Sequence, residues 1–431
     1  MKKYIKNSIK NKIMENNIAR RLIWKIYGLN VIQTKFKWLD EIDGILLKKG
    51  QCSINTSPNY GDGSETLKNQ GPDINLYELK NVVVCTNSSA FYTPTLTYIE
   101  RHQGIEQSKA KYVSGNLKRH NQSVAEIDIK VYSEINKTVL FLGGNGSFNY
   151  YHWLIEISSK LMFLSKDLIN KYEIEAIVVN SMVAKIESFN DILRLYNSKF
   201  NLPIIFLDDS KNHKFKSIVF ITTFNDVLYN SIDNKSTLDN VYFNETVLSE
   251  ISRYAKNFIK NKTQLNLSKP YPEKIFLVRG AVSSFNKRNY NEDEILNFFK
   301  NKGFVGISPE KYSFLEQVHL FSNATHIVGP SGAFWANIIF ANSNVKCISW
   351  LPSLSEQFSV YSSLAHLVGA DMIFIKADNL DTELHGPYKV NINKFKELIQ
   401  KYPSLIKIKN HRRENILFYA FENTSKKIID F

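Results

Sequence analysis

Short β-rich runs that alternate with helix-length segments constrain the fold of this chain more than any other feature. Strand-like runs begin near Lys274, Gly303 and Ala324, and each is followed by a segment long enough for a helix. This alternation predicts a parallel sheet with right-handed crossovers. The same pattern occurs upstream, in strand candidates at Val82–Val84, Val139–Leu142, Ala176–Val179, Ile204–Leu207 and Ile218–Thr222. The sequence therefore predicts an α/β protein.

The length of the chain predicts more than one domain. Its 431 residues, 43% of them hydrophobic, suffice for two or three domains with buried cores. The region from 31 to 80 is rich in turn residues, which predicts an irregular cap or a loop over a cleft. The predicted divisions are 1–80 for a basic amphipathic segment and this cap, 81–240 for a first α/β domain, 241–270 for a helical linker, 271–385 for a second α/β domain, and 386–431 for a tail with a helix around Phe395–Ile399.

A glycine-rich loop at 143–146 leads from an apolar strand into an aromatic segment that contains one histidine. Glycines let a backbone approach a ligand, and a nearby histidine can exchange a proton near neutral pH. Glu156 follows His152 by four residues, so on a helix its carboxylate would lie on the same face and orient the imidazole. The alternative is that His152 and the aromatic residues around it are ordinary core residues.

A second group of unusual residues falls where the downstream strands end. Arg279 closes one strand, Glu310 follows the next, and the turn at 329–333 joins a third strand to a helix. Ligands of parallel sheets bind at such strand ends, and a helix that begins after small residues attracts phosphate. Cationic side chains suit a diphosphate, and a carboxylate suits ribose hydroxyls. The predicted nucleotide-diphosphate site consists of Arg279, Lys287, Arg288, Glu310, Gly329, Ser331, Gly332 and Ala333.

Between about Phe141 and about Pro352, half of the chain, several separate motifs occur in a fixed order. They are Asn149-Tyr-Tyr-His-Trp-Leu-Ile-Glu156, the strand-terminal Arg279, Asn291-Glu, Pro309-Glu310, Ser313-Phe-Leu-Glu-Gln-Val, Ile327-Val-Gly, Ser331-Gly-Ala and Asn337. Together they resemble the family 61 glycosyltransferases, also described as capsular polysaccharide biosynthesis-like proteins.

The resemblance implies a GT-B architecture, in which two Rossmann-like domains with parallel sheets face a cleft and the C-terminal tail packs back on the first domain. It also implies inverting transfer of a sugar from a nucleotide sugar, with no metal or other cofactor required, in the synthesis of bacterial capsule or another surface polysaccharide. Asn337 joins the donor-binding residues on this basis. Where family members usually have His-Gly-Ala-Gly, this chain has Ser331-Gly-Ala-Phe334, so the identity of the donor is not carried over.

The net charge of +14 is concentrated in the first thirty residues, where cations alternate with apolar residues at three- and four-residue spacing. That pattern suits a helix on an anionic membrane face and equally an ordinary first helix with a solvated basic face. No apolar run is long enough to span a membrane, and no secretion signal is recognisable. The three cysteines are widely separated, which predicts neither a disulfide framework nor a zinc site. We therefore expect a cytoplasmic protein, peripheral on the inner face of the cell membrane if the basic segment binds lipid, and no nucleic-acid partner.

Two other functions remain open from the sequence. The run Ile204–Leu207 ends in Asp208 and Asp209, which suit a divalent metal that bridges a diphosphate, as in the single-sheet GT-A enzymes. Paired acids at a strand end are equally common as turn residues. The altered Ser331-Gly-Ala-Phe334 motif favours a non-catalytic polysaccharide-binding or assembly protein, whereas His152 and Glu156 argue against it.

The predicted reaction begins with a glycan or lipid-linked glycan acceptor bound against the first domain. His152, oriented by Glu156, removes the acceptor proton, although Glu156 as the base with His152 as a donor is not distinguished. Cations and the helix near Ala333 stabilise the charge on the departing diphosphate. The residues predicted on the acceptor side are Gly144, Asn145, Asn149 and Tyr151.

Overall fold

The computed structural model describes residues 16–101, 113–121, 123–227, 237–262, 269–279, 289–382 and 386–407. In these residues the structure is mixed α/β, as predicted, with an eleven-stranded sheet and a six-stranded sheet. The strands are β1 (Val31–Trp38), β2 (Ile45–Lys48), β3 (Cys52–Thr56), β4 (Thr66–Gln70), β5 (Ile74–Val84), β6 (Ala90–Tyr92), β7 (Thr97–Ile99), β8 (Leu117–His120), β9 (Val124–Asp128), β10 (Val131–Leu142), β11 (Ala176–Asn180), β12 (Ile204–Leu207), β13 (Asn212–Ile221), β14 (Asp226–Val227), β15 (Val241–Tyr242), β16 (Lys274–Leu277), β17 (Val305–Ile307), β18 (His326–Pro330), β19 (Lys346–Pro352), β20 (Asp371–Asn379) and β21 (Tyr388–Lys389).

Helices connect the strands, and several have clear sequence signals at their starts. One helix begins after Ser313, whose side chain and that of Glu316 form a reciprocal capping box. Another begins with three acidic residues in its first turn, which favours the positive end of the helix dipole. The helices are α1 (Asn17–Ile26), α2 (Lys166–Lys171), α3 (Met182–Lys185), α4 (Glu187–Asn197), α5 (Glu245–Lys262), α6 (Glu292–Lys300), α7 (Phe314–Asn323), α8 (Val360–Val368) and α9 (Ile392–Lys401). Short 3-10 segments also occur, the longest of them Ala333–Phe340.

The larger sheet has the order β12-β11-β10-β13-β5-β6-β7-β1-β9-β8, with β2 paired to β5. Its four strands β12, β11, β10 and β13 are parallel to one another, and β5 pairs antiparallel to β13. Strand β11, Ala-Ile-Val-Val-Asn, lies next to the edge strand β12 and is buried along its whole length, as expected for a strand covered on both faces. Strand order reverses between β10 and β13, and such a switch point opens a crevice at the carboxyl ends of the strands.

The smaller sheet has the order β17-β16-β18-β19-β20-β21. Its first five strands are parallel, and β21 is added antiparallel at the edge. The three strands and two helices predicted between residues 274 and 329 are confirmed as β16, α6, β17, α7 and β18. The switch point of this sheet lies between β16 and β18, because β17 and β18 flank β16 on opposite sides.

The turn-rich region at 31–80, where an irregular cap was predicted, instead contains strands β1 to β4 and the start of β5. Alternating apolar residues bury one face of β1 and of the start of β5, and β1, β2 and β5 lie in the larger sheet. The predicted tail, 386–431, is described only as far as residue 407. In that part α9 packs on the smaller sheet, where the ring centroid of Phe395 lies 5.6 Å from that of Trp350. The predicted packing of the remaining tail on the first domain lies outside the described residues.

A single apolar core joins the two sheets. It includes Leu142 at the end of β10, Leu277 at the end of β16 and residues of α5, the helix predicted in the linker region. Among the described residues, no helix is both long enough and apolar enough to cross a membrane. The shared core fixes the ends of β10 and β16, where the predicted site residues lie.

Candidate functional site

His152 and Glu156 form a hydrogen-bonded pair at the switch point of the larger sheet. They lie on a π-helical turn, His152–Ile157, which follows the loop after β10. The Nδ1 atom of His152 lies 2.6 Å from Oε2 of Glu156, and the two residues are only 6% and 4% exposed. Such π-helical turns are rare and occur frequently at functional sites. The predicted contact is therefore present, on a turn wider than the α-helix expected.

Both carboxylate oxygens of Glu156 have a partner. Oε2 contacts His152, and Oε1 accepts a hydrogen bond from the backbone N–H of Val227 at 3.0 Å. Burial raises the pKa of Glu156 above its ordinary value, and the neighbouring His152 opposes this shift. Because both oxygens are used, Glu156 is suited to hold the imidazole rather than to take a proton from a bound ligand.

The glycine loop packs directly on the imidazole ring of His152. Gly146 has a φ of +83°, and a Cβ built there would lie 2.8 Å from Cδ2 of His152. Gly144 also has a positive φ, of +153°, and Asn145 is 7% exposed, with its backbone N–H donating to Ser89 Oγ at 3.3 Å. The loop predicted to approach a ligand thus also contacts one face of the His152 ring and restricts the orientation of that ring.

Asn149 and Tyr151, both predicted on the acceptor side, differ in their surroundings. The side-chain oxygen of Asn149 accepts a hydrogen bond from the backbone N–H of Tyr151 at 2.9 Å, so it shapes the turn. The hydroxyl of Tyr151 is buried and has no hydrogen-bond partner in the part of the chain that the structure describes. Burial and the nearby Glu156 raise the pKa of Tyr151 well above its ordinary value, so this hydroxyl is a neutral donor. Such a group beside the histidine pair is suited to a ligand hydroxyl.

Further charged residues that the sequence reasoning missed surround this pair. Lys160 is fully buried, its Nζ lies 4.3 Å from the ring centroid of Phe220, and none of the described residues forms a hydrogen bond with that Nζ. Burial lowers the pKa of Lys160 below its ordinary value, while Glu100, Glu156 and Asp226 oppose that shift. Lys160 follows Glu156 by four residues. The spacing that predicted the contact between His152 and Glu156 could therefore also have predicted Lys160 beside Glu156. Glu100 and Asp226 come from distant segments, and nothing local in the sequence indicates them.

Arg279 lies at the switch point of the smaller sheet, two residues after β16. Its guanidinium donates a hydrogen bond to the backbone carbonyl of Ser331, just beyond β18, and its backbone N–H donates to Glu292 of α6 at 2.8 Å. The same carboxylate accepts a hydrogen bond from the hydroxyl of Tyr290 at 2.5 Å. These contacts bring Arg279 and the Ser331 turn together across the crevice, as the sequence predicted.

The residues of the predicted anion turn have different positions. Gly329 lies inside β18, where a Cβ would meet Cβ of Leu277 at 2.7 Å, so its small size serves packing. Ser331 and Gly332 form the turn itself, and a Cβ on Gly332 would lie 3.4 Å from Nη2 of Arg279. Ala333 begins a 3-10 segment, Ala333–Phe340, where an α-helix was expected. Glu310 is exposed on a short turn after β17.

Asn337 connects the two site regions and is completely buried. Its side-chain oxygen accepts a hydrogen bond from the hydroxyl of Tyr150 at 2.7 Å, and its amide donates to Gln317 at 2.8 Å. Tyr150 lies two residues before His152, the first residue of the π-helical turn. The observed role of Asn337 is therefore to tie the histidine segment to the smaller sheet, rather than to line an open donor site.

The remaining predicted residues do not form a described site. Lys287 and Arg288 lie outside the described residues. Asp208 accepts hydrogen bonds from the backbone N–H and hydroxyl of Ser210, at 2.9 and 2.6 Å, and its carboxylate lies 3.5 Å from Lys211. These contacts are those of a turn residue, and the Ser210 hydroxyl holds the pKa of Asp208 below its ordinary value. Within the described ranges, no three His, Cys, Asp or Glu side chains converge as a metal site would require.

The fold and these contacts define an α/β protein with a buried histidine–glutamate pair at the carboxyl end of the larger sheet and an arginine at the carboxyl end of the smaller sheet. Residues 150–348 match the family model described as Glycosyltransferase 61. The matched segment, slightly less than half of the chain, is thus similar to a glycosyltransferase family 61 domain, and the match supports a glycosyltransferase enzyme, which takes a sugar from a donor and passes it to an acceptor. No curated protein matches the chain. The matched segment contains His152, Glu156, Arg279 and Asn337, and it leaves out most of the antiparallel part of the larger sheet.

Proposed function

We propose that this glycosyltransferase is a metal-independent, inverting enzyme of GT-B type that uses a nucleotide sugar and elongates a glycan or lipid-linked glycan of a bacterial surface polysaccharide. The single observation that carries the proposal is the buried contact of 2.6 Å between His152 Nδ1 and Glu156 Oε2. A histidine held in this way is oriented for general-base catalysis.

The contacts of Glu156 favour His152 as the base. Since Glu156 holds Nδ1, the proton of the neutral imidazole is kept on that nitrogen and the lone pair lies on Nε2. Nε2 takes the proton of the acceptor hydroxyl as the acceptor oxygen forms its bond to the anomeric carbon. The bond from that carbon to the diphosphate breaks on the opposite face, its electron pair leaves with the diphosphate oxygen, and the configuration inverts.

Arg279 is the residue proposed to hold the donor phosphates. It lies at the switch point of the smaller sheet, beside the backbone of Ser331 and Gly332, where open parallel sheets bind their ligands. Its fixed charge would stabilise the diphosphate both before and after the sugar is transferred. Lys287 and Arg288 follow in the same inter-strand segment of the sequence and remain candidates for the same role.

A peripheral position on the inner membrane face is part of the proposal, and α1 supports it. Ile18, Leu22 and Ile26 form a stripe on this helix and are 81%, 59% and 74% exposed, with Arg21 and Lys25 beside them. Apolar residues flanked by cations on one exposed helix suit the surface of an anionic bilayer.

The proposal is tested by screening a panel of nucleotide sugars for release of nucleoside diphosphate, with and without EDTA. We expect one donor to be consumed, with the same rate in EDTA, and the His152→Ala variant to lose this activity. If EDTA abolished activity and Mn²⁺ restored it, the metal-dependent reading through Asp208 and Asp209 would replace this one. If no donor were consumed, yet the folded chain bound a polysaccharide, it would be a binding protein.

A further inference from the structure

A groove of about 430 Å³ on the outer face of α5 carries three cations that the proposed reaction does not use. Its wall is formed by residues that recur at three- and four-residue intervals along one face of the helix. These are Ser249, Ser252, Arg253, Lys256, Asn257 and Lys260. The groove is distinct from the histidine pair and from the turn that contacts Arg279, since none of those residues lines it.

The floor of the groove is apolar. Leu248 and Ile339 are buried in the core that joins the two sheets, and Leu367 and Val368, at the end of α8, are half-buried beside them. A groove with an apolar floor and a cationic wall has the character of an amphiphile-binding site, because it matches an anionic group and a hydrocarbon chain at once.

The three cations lack an acidic partner in the part of the chain that the structure describes: no carboxylate lies within 4.0 Å of Arg253, Lys256 or Lys260. Lys256 and Lys260 are one helical turn apart, an arrangement that is destabilising for like charges. Burial and the neighbouring Lys260 both lower the pKa of Lys256 below its ordinary value. Lys256 is half-buried where it lines the groove, so its aliphatic stem covers apolar surface while its amine stays within reach of a ligand.

We infer that this groove binds the phosphate group of an amphiphile, with Arg253, Lys256 and Lys260 around the phosphate and the first methylenes of the tail on Leu248, Ile339 and Leu367. The inference goes beyond the proposed reaction and does not depend on His152 or Arg279. A bound phosphate would supply the missing counter-charge, and it would be held by charge-assisted hydrogen bonds.

The test uses a short-chain, monomeric probe, so that the apolar stripe of α1 and its lipid contacts do not contribute. Dihexanoyl phosphatidic acid, kept below its micellar concentration, is titrated calorimetrically into the full chain. Lys256→Met keeps the aliphatic stem and removes the charge, and Lys256→Arg keeps the charge. Lys396→Met on α9 is the matched control, because the hydrogen bond of the Lys396 amine within the described residues goes to Asn393, in its own helix.

We expect Lys256→Met to weaken binding by at least about tenfold, the scale of a lost hydrogen bond to a charged group, while Lys256→Arg and Lys396→Met bind as the wild type does. Binding should also weaken with added salt. Equal affinity of Lys256→Met and Lys396→Met would overturn the inference. Inorganic pyrophosphate, which has no hydrocarbon tail, is titrated in the same way. If it bound as tightly as dihexanoyl phosphatidic acid, the inference that the ligand is an amphiphile would be wrong.

Discussion

The carboxyl ends of the two sheets differ in how they hold their charged residues. At the larger sheet, His152 and Glu156 are almost completely buried, and both oxygens of the glutamate are used. At the smaller sheet, Arg279 is half-buried, and its guanidinium donates a hydrogen bond to the backbone carbonyl of Ser331. Proton transfer requires a fixed tautomer and orientation, whereas holding a diphosphate requires charge within reach of several oxygens. This difference indicates that the carboxyl ends of the two sheets are suited to different steps of one reaction.

The largest expected effect is on the proton-transfer side. His152→Ala should lower turnover by about 10²–10⁴-fold, the usual contribution of general acid–base catalysis, with little change in donor KM. The measurement is steady-state release of nucleoside diphosphate at saturating donor. Asp208→Asn, an exposed turn substitution, is the matched control. Turnover within a factor of two of wild type in folded His152→Ala would remove this residue from the mechanism.

The second effect concerns the donor side. Arg279→Ala should weaken transition-state and ground-state binding alike by about 1.5–3 kcal/mol, the scale of a hydrogen bond to a charged group, and so raise donor KM. Arg279→Lys should recover part of this loss, because a point charge does not reproduce a bidentate fork. The donor KM of both variants is the readout. A lowered kcat with unchanged KM would instead place Arg279 in the chemical step.

The third prediction concerns the contact between the two ends. Tyr150→Phe removes the hydroxyl that donates to Asn337 and leaves a buried amide oxygen without this partner. We expect a loss of about 1–3 kcal/mol in the free energy of unfolding. Denaturant unfolding measures it, with Tyr132→Phe as the control, because Tyr132 is a half-exposed tyrosine at the start of β10. Equal midpoints for the two variants would show that this hydrogen bond does not couple the two sheet ends.

The fourth prediction concerns the buried amine beside the histidine pair. The pKa of Lys160 is lowered in the folded chain, so the unfolded chain binds its proton more tightly and stability rises with pH towards the ordinary value of 10.5. The difference in unfolding free energy between wild type and Lys160→Met should therefore change with pH, by up to about 1.4 kcal/mol per pH unit. Unfolding at several pH values between 7 and 10 measures it, and a constant difference would contradict this account.

The smallest effect is expected at the aspartate pair. Asp208 is exposed and bonds within its own turn, so Asp208→Asn should change stability by no more than about 0.5 kcal/mol and leave turnover unchanged. Turnover and thermal unfolding of this variant are compared with those of wild type. Loss of activity at unchanged stability would favour a metal at this strand end.

Much of the fold was predictable because its signals are local. The alternation of strand-like and helix-like segments after residue 274 predicted the parallel sheet, and the four-residue spacing of His152 and Glu156 predicted their contact. Features that depend on distant residues were not predictable. Strands β1, β2 and β5 join a sheet whose other strands come from distant parts of the sequence. Gly329 is a packing residue against Leu277, and Asn337 pairs with Tyr150 across 187 positions.

The division of work between the two sheet ends is tested most directly by calorimetric titration of the nucleoside diphosphate released by the enzyme. The titrant is added to wild type, His152→Ala and Arg279→Ala. The account predicts equal affinities for wild type and His152→Ala, and an affinity about 10- to 150-fold weaker for Arg279→Ala. Equal affinities in all three proteins, or a loss confined to His152→Ala, would contradict it.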